Sequence, residues 1–164
     1  MSQTSYSIDQ GAAKAGGVYD LGFNDFISLA AQATIPFGCF VCKGTAEDQV
    51  KVPAATGDVT DITKARGFAA ATQAHEQVSG ASVDQYVQYD TVSVMQRGRM
   101  WVTCEANWTQ ASSVFVRFAT GTGTQLGAVL VSADTATAVA LPGAKFLNSG
   151  SAGGLALIQF DLLG

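Results

Sequence analysis

Residues 91–106 read TVSVMQRGRMWVTCEA, and the parity of their side chains decides the fold. Met100, Val102, Cys104 and Ala106 share one parity, while Arg99, Trp101, Thr103 and Glu105 take the other. Side chains of a strand alternate between its two faces, so this is a strand with one apolar face. Val92 and Val94 alternate in the same way over residues 91–96, and Arg97-Gly98 between the two runs predicts a turn. Downstream, Val114, Val116 and Phe118 make the inward face of the next strand, residues 120–124 (TGTGT) a hairpin loop, and residues 126–131, 144–147 and 155–162 three further strands.

Upstream of this stretch the same signals are shorter. Residues 39–43 (CFVCK) and 49–52 predict strands, the second stopped by Pro53, and residues 67–72 a weaker one. Residues 54–64 (AATGDVTDITK) predict a turn-rich loop and residues 73–85 an exposed polar one. Over residues 23–32, Phe23, Phe26, Ile27 and Ala30 fit a helical stripe capped by Asn24 or Asp25. They also fit a strand leading into Ile35-Pro36-Phe37-Gly38, and the strand is the reading adopted. Residues 1–22 are small, polar and glycine-rich, with Tyr6 and Tyr19 as their large anchors. They carry too little apolar area to offset the entropy of ordering alone. The expectation is an all-β protein: an extended N-terminal arm, residues 1–22, followed by a single compact β-barrel or β-sandwich over residues 23–164.

Composition narrows the function. Charged residues are 13% of the chain, about half the usual ~25%, while apolar residues reach 48%. The last third is the extreme case: residues 107–164 hold four formal charges, Arg117, Asp134, Lys145 and Asp161. So little charge over so much surface points to assembly rather than chemistry. The net charge of -4 and the scattered Lys and Arg exclude a basic nucleic-acid footprint. Residues 1–10 have neither the basic nor the apolar region of a signal peptide, and no run approaches the length of a membrane span. The expected partners therefore include neither nucleic acid nor membrane.

Side chains with chemical potential lack a chemical setting. Cys39 and Cys42 form a C-x-x-C that, with Cys104 and His75, would supply a zinc set. In a strand, however, positions three apart face opposite sides, and Phe40-Val41 is a poor turn, so buried reduced thiols are expected. His75 beside Glu76 has no nucleophile signature near it. Glu47 with Asp48, and Asp58 with Asp61, match no calcium-loop spacing. Gly121-Thr-Gly123 lies between strands, where a hairpin explains it. Asn107-Trp108-Thr109 is a glycosylation sequon in form alone. No catalytic residue, cofactor or metal is expected, and the chain is read as not an enzyme.

Aromatics on polar faces are more informative. Trp101 sits opposite Met100 and Val102, where it is either covered by a loop or an interface anchor. Phe115, between Ser113 and Arg117 on its face, poses the same question. Together with Tyr6, Tyr19, Phe23 and Phe26 these are the candidate interface residues. An alternative keeps Trp101 and Trp108 as sugar-stacking platforms of a carbohydrate-binding or adhesin-like β module.

Five strings in order, IPFG (35–38), KGTAEDQV (43–50), DTVSV with RGRMWV (90–94 and 97–102) and TATAVALPGAKF (135–146), resemble the structural cement, or capsid decoration, proteins of tailed bacteriophages. The resemblance spans residues 23–163. It implies a non-enzymatic virion protein, made in the host bacterial cytoplasm, that binds the outside of an icosahedral head. There it would reinforce contacts between copies of the major capsid protein, often as a homotrimer. It brings no catalytic residues to transfer. Cys39 and Cys42 lie outside the family pattern, so a metal there would be an addition.

Overall fold

The computed structural model describes residues 13–20, 22–72, 84–121 and 125–163. In chain order these form β1 (Asp25–Ala31), β2 (Ile35–Pro36), β3 (Phe40–Lys43), β4 (Gln49–Lys51), α1 (Thr56–Thr60), β5 (Ala65–Ala69), β6 (Gln85–Tyr86), β7 (Thr91–Thr103), β8 (Ser113–Arg117), β9 (Val129–Leu130), β10 (Ala138–Phe146) and β11 (Leu155–Asp161). The fold is all-β, as the alternation predicts. The sheet order is β1-β4-β3-β5-β7-β11-β10-β8-β9, and β1 also pairs with β7. That extra pairing closes β1, β4, β3, β5 and β7 into a five-stranded barrel. Beyond it, β11, β10, β8 and β9 form a second lobe, and an isolated parallel bridge from Cys104 to Val129 brings β9 back to the end of β7.

β7 is the spine shared by both parts. Its first half lies between β1 and β5, with Leu29 opposite Val92 and Ala69 opposite Val94. Its second half pairs with β11 from Arg97–Asp161 to Thr103–Leu155. The turn expected at Arg97-Gly98 is therefore not one. The ladder to β11 runs through both residues, and Gly98 bends the strand at φ 144, a backbone that side chains rarely adopt. The partner register shifts at the same place, between Asp25 and Phe26.

Two cores follow from this topology. Ala31, Val41, Val50, Ala69, Val92 and Val94 fill the barrel, with Phe37 and Tyr86 edge-to-face at 5.0 Å. Tyr86 donates its hydroxyl to the carbonyl of Ala70 at 2.6 Å, which satisfies the polar end of a buried ring. Phe40, Phe68 and Met95 point out of the barrel into the second core, against Met100, Val102, Val116, Ile158 and Phe160. β3, β5 and the middle of β7 are thus buried on both faces. That is why CFVC and GFAA read as unbroken apolar runs rather than alternating ones.

Three further differences from expectation have local causes. Residues 56–60 form the one-turn helix α1 inside the expected loop. Its buried Val59 packs into the second core, and the turn has no side-chain N-cap, so tertiary packing and not propensity makes it. β10 starts at Ala138 rather than 144, because a register shift between Ala140 and Lys145 lets exposed Pro142 and Gly143 interrupt its apolar pattern. β5 begins two residues before the expected strand, and β9 is shorter than its prediction.

Residues 16–19 lie along β7. Tyr19 donates its N–H to the Arg99 carbonyl (3.0 Å), Trp101 to Gly17 (2.9 Å) and Gly16 to Trp101 (2.7 Å), adding an antiparallel segment to the second half of β7. Gly16 and Gly38, at φ 77 and 76, cross in close contact: a Cβ on Gly16 would stand 2.7 Å from the Ala71 nitrogen and 3.0 Å from that of Gly38. Tyr6, with residues 1–12, lies outside the described residues.

Candidate interface surfaces

The first surface forms around residues 19–26, beside β7 and the end of β11. Tyr19 is 52% exposed, Phe23 89% and Phe26 40%, three large apolar side chains within eight residues of sequence. Phe23 lies 5.8 Å from the Arg97 guanidinium, which is itself 3.2 Å from Asp161. Arg99 reaches Asp20 at 2.9 Å. Between these pairs runs a groove of about 290 Å³ lined by Asp20, Phe23, Asn24, Arg97, Gln159 and Asp161. Trp101 is half-buried beside it, with Tyr19 edge-on at 6.0 Å. Tyr19 covers part of the ring, and the rest stays open.

A second, apolar cleft of about 350 Å³ lies between α1 and β10, lined by Val59, Ile62, Ala65, Leu141, Pro142 and Leu162. Ile62 on its rim and Tyr89 in the turn before β7 are each at least 70% exposed. Sequence reasoning passed over both. The available signal was a lone large apolar residue in an otherwise polar turn.

The third surface is organised by Arg117, 1% exposed and the only buried charged residue among those described. Its Nε donates to Glu105 Oε2 at 2.8 Å, and its Nη2 lies 2.7 Å from the same oxygen. Nη1 reaches Asp134 Oδ2 at 2.7 Å and Thr137 Oγ1 at 3.0 Å. Burial alone would weaken this cation. The hydrogen bonds it donates to Glu105 and Asp134, with their negative charge, outweigh burial and raise its pKa. The clamp joins the end of β7 to the loop between β9 and β10. In that loop Asp134, Thr135 and Ala136 all have positive φ (41, 57 and 66). Hydrogen bonds to the Ala133 carbonyl from the N–H groups of Thr137 and Ala138, both 3.0 Å, close this left-handed turn. Charge sparsity flagged Arg117 and Asp134 in the sequence, but nothing there shows that they meet.

The remaining candidates separate. Phe115 is half-buried on β8, opposite Ala140 and Leu130 and separated from β7 by β11 and β10, so it does not join Tyr19, Phe23 and Trp101. Trp108 is buried, stacked on Phe146 at 6.3 Å, with its Nε1 donating to Asn148 Oδ1 at 3.0 Å. Gly150 and Gly154 close over its ring. It therefore cannot be a sugar platform, which corrects the carbohydrate-binding alternative: a stacking surface needs a free ring face. Cys39, Cys42 and Cys104 are buried thiols, and burial pushes Cys39 and Cys42 up to about 12. Among the described residues no three of His, Cys, Asp and Glu converge. His75 lies outside the described residues. Asp58 accepts the Ala54 N–H at 3.0 Å, and Asp61 accepts from the Thr63 hydroxyl at 2.7 Å and its N–H at 2.9 Å, which lowers its pKa. These two acids shape turns. Glu47 and Asp48 stand exposed in the turn before β4.

The family model described as structural cement protein (E217 gp24/Pam3 gp6) matches residues 2–161. No curated protein matches the chain in sequence. Among solved structures, a chain from "The capsid of Myoviridae Phage XM1" has a TM-score of 0.70 at 15% identity, with 97% of this chain and 96% of that one covered. A chain from "The crystal structure of head fiber gp8.5 N base in bacteriophage phi29" has a TM-score of 0.49 at 12% identity, covering 85% and 96%.

Proposed function

The chain belongs to the structural cement protein family, a virion structural protein of the phage capsid, and from this premise we propose how it is used. It binds the outer surface of the head and reinforces contacts between major capsid proteins, without catalysis. The observation that carries this reading is the exposed Tyr19, Phe23 and Phe26 beside two Arg–Asp pairs at the base of the arm. Aromatic residues and arginine are the types enriched in protein–protein interfaces, and an apolar cluster in water is costly unless something covers it. The net charge of -4 favours the outside of a DNA-filled shell over its inside. Thiols held near 12 and an Arg117 engaged on every side leave little for a reaction to use. Closed cyclic symmetry is the commonest arrangement for soluble oligomers, and family likeness favours a homotrimer.

Residues 1–22 act as the arm of this reading, with residues 23–164 as the β domain. Because residues 16–19 pair with β7, the arm has two parts: a docked base and residues 1–12 ahead of it. The test is co-sedimentation with purified heads assembled without this protein. A Phe23→Ser/Phe26→Ser variant and a chain lacking residues 1–12 should both fold and bind weakly. Wild-type protein that stays in the supernatant, or full binding by the Phe variant, would refute the proposal.

A further inference from the structure

We infer that the open edge of β1 at Phe26–Ser28 takes an extended segment of the major capsid protein, with Lys or Arg at its ends, as a further strand. This rests on the capsid-binding reading above and names what that edge pairs with.

The main chain carries the first step. Ala30 donates its N–H to the Asp48 carbonyl and Gln32 to that of Val50, both at 2.8 Å, so the even-numbered residues of β1 turn their main-chain groups toward β4. Ala31 donates to the Asp90 carbonyl and accepts from the Tyr89 N–H, both at 2.8 Å, so the odd-numbered ones turn theirs toward β7. This alternation runs back without a shift to Phe26, which stands opposite Met95. The facing strand agrees: the Ser93 carbonyl, opposite Ser28, accepts from Ala70, just past β5 on the other side of β7. Phe26 and Ser28 therefore aim their N–H and C=O groups to the β4 side. Yet β4 pairs with β1 only at Ala30 and Ala31, and before Gln49 the chain has turned away into residues 44–48. The main-chain groups of Phe26 and Ser28 thus lie on an edge where no described strand runs.

That edge is also unguarded. Soluble proteins protect exposed strand edges with Pro, Lys or a bulge. Residues 26–30 read FISLA, with neither Pro nor charge, and the irregularity lies before them, between Asp25 and Phe26. Ile27, Leu29 and Ala31 pack into the barrel core, which leaves Phe26 and Ser28 exposed on the outer face. A strand added here hydrogen-bonds the main chain and meets Phe26 on that face, in continuity with Phe23 and Tyr19. Extended segments bind open edges in this way, the main chain giving affinity and alternate side chains specificity.

Charge selects the occupant. Asp25 stands at one end of the edge, and Glu47 and Asp48 at the other. All three are exposed and make no ion pair with a described residue. A second copy laid antiparallel on the edge would bring its Asp25 against Glu47 and Asp48, and two-fold symmetry would repeat the clash at the far end. Residues 1–12 of the chain bring Asp9 and no Lys or Arg. Neither of these segments complements the edge. An uncharged stretch flanked by cations does, because it meets opposite charge at both ends.

The experiment measures binding of purified protein to heads assembled without it, alongside thermal melts and sedimentation velocity of the free protein. Ser28→Pro deletes an edge N–H and puts a ring in the path of an incoming strand, and Pro is tolerated on an edge whose N–H faces solvent. It should bind at least about tenfold more weakly, while Ser28→Ala, which keeps the N–H, stays within about twofold of wild type. Glu47→Lys/Asp48→Lys keeps the main-chain bond from Ala30 and should also bind at least about tenfold more weakly. If the melts show that the Pro variant does not fold, this charge variant decides alone. Binding within about twofold of wild type by every folded variant, with Phe23→Ser/Phe26→Ser still weak, would overturn this inference and leave the capsid-binding reading standing. A change in sedimentation of the free protein on Ser28→Pro would give the edge to a second copy and overturn it as well. Wild-type protein that fails to bind heads overturns both readings.

Discussion

Replacing Arg117 with Met should be the most destabilising single change outside the apolar cores. The substitution keeps much of the volume but strands the Glu105 and Asp134 carboxylates, whose side chains are only 20% and 15% exposed. Removing one partner of a buried ion pair costs about 3–5 kcal/mol, because a charge is left without compensation. Two features reduce the figure here. Both carboxylates keep some water, and the turn at Asp134–Ala136 is free to relax in part once its clamp is gone, returning strain of about 1 kcal/mol, the lower end for one left-handed residue. A net loss of about 2–4 kcal/mol remains. For a chain of this length each kcal/mol lowers the melting temperature by about 2–4 °C. Urea melts of wild type, Arg117→Met and the triple variant Arg117→Met/Glu105→Gln/Asp134→Asn separate the causes. The triple variant should recover most of the loss, since no buried charge is left unpaired. A loss below about 1 kcal/mol for Arg117→Met, or no recovery in the triple variant, would show that the clamp is not holding the lobe together.

Other perturbations act on separate parts of the molecule. Gly16→Val puts a side chain where the nearest backbone atom is 2.7 Å away, so residues 13–19 should detach and become protease-sensitive while the melt of the domain changes little. Trp108→Ala empties a buried site under Gly150 and should cost about 3–5 kcal/mol, whereas Trp108→Phe loses mainly the Nε1 bond to Asn148 and should cost about 1–2 kcal/mol by the same urea melts. Cys39 and Cys42 titrate near 12 when folded and near 9 when unfolded, so their contribution is fully present below about pH 9 and lost as pH rises from there toward 12. Under reducing conditions, stability should fall by about 1.4 kcal/mol per pH unit for each thiol over that range. Stability that holds level from pH 9 to 11 would contradict the burial of these groups.

The legible parts of the fold were those where one face is buried and the other wet. Val92, Val94, Met100, Val102, Val114 and Val116 alternate and are all buried, as read. Reading failed where burial is two-sided or where a glycine plays an unusual role. Gly98 looks like a turn residue, yet it is the bend that lets β7 serve two lobes, and only the continuous pairing with β11 reveals it. Pro142-Gly143 hid the length of β10 in the same way. Tyr19 was legible as a large anchor in a small, polar segment, whereas the exposure of Phe23 and Phe26 was not, since both fit an apolar stripe. The Arg117 clamp was not, because its acids come from positions 12 residues before it and 17 after it.

The residues by themselves determined a β protein with little surface charge, and the ordered strings of its cement-family likeness. Those are properties of local alternation and composition, which survive without knowledge of what packs on what. Only tertiary structure decided that Trp108 is core while Trp101 is half-buried against Tyr19, that the barrel closes through β1 and β7, and that one guanidinium braces a left-handed turn. Each of these depends on pairing between segments distant in the chain. Hydrophobic periodicity reports which side of a strand is dry, and it carries no information about which strand, ring or charge comes to cover it.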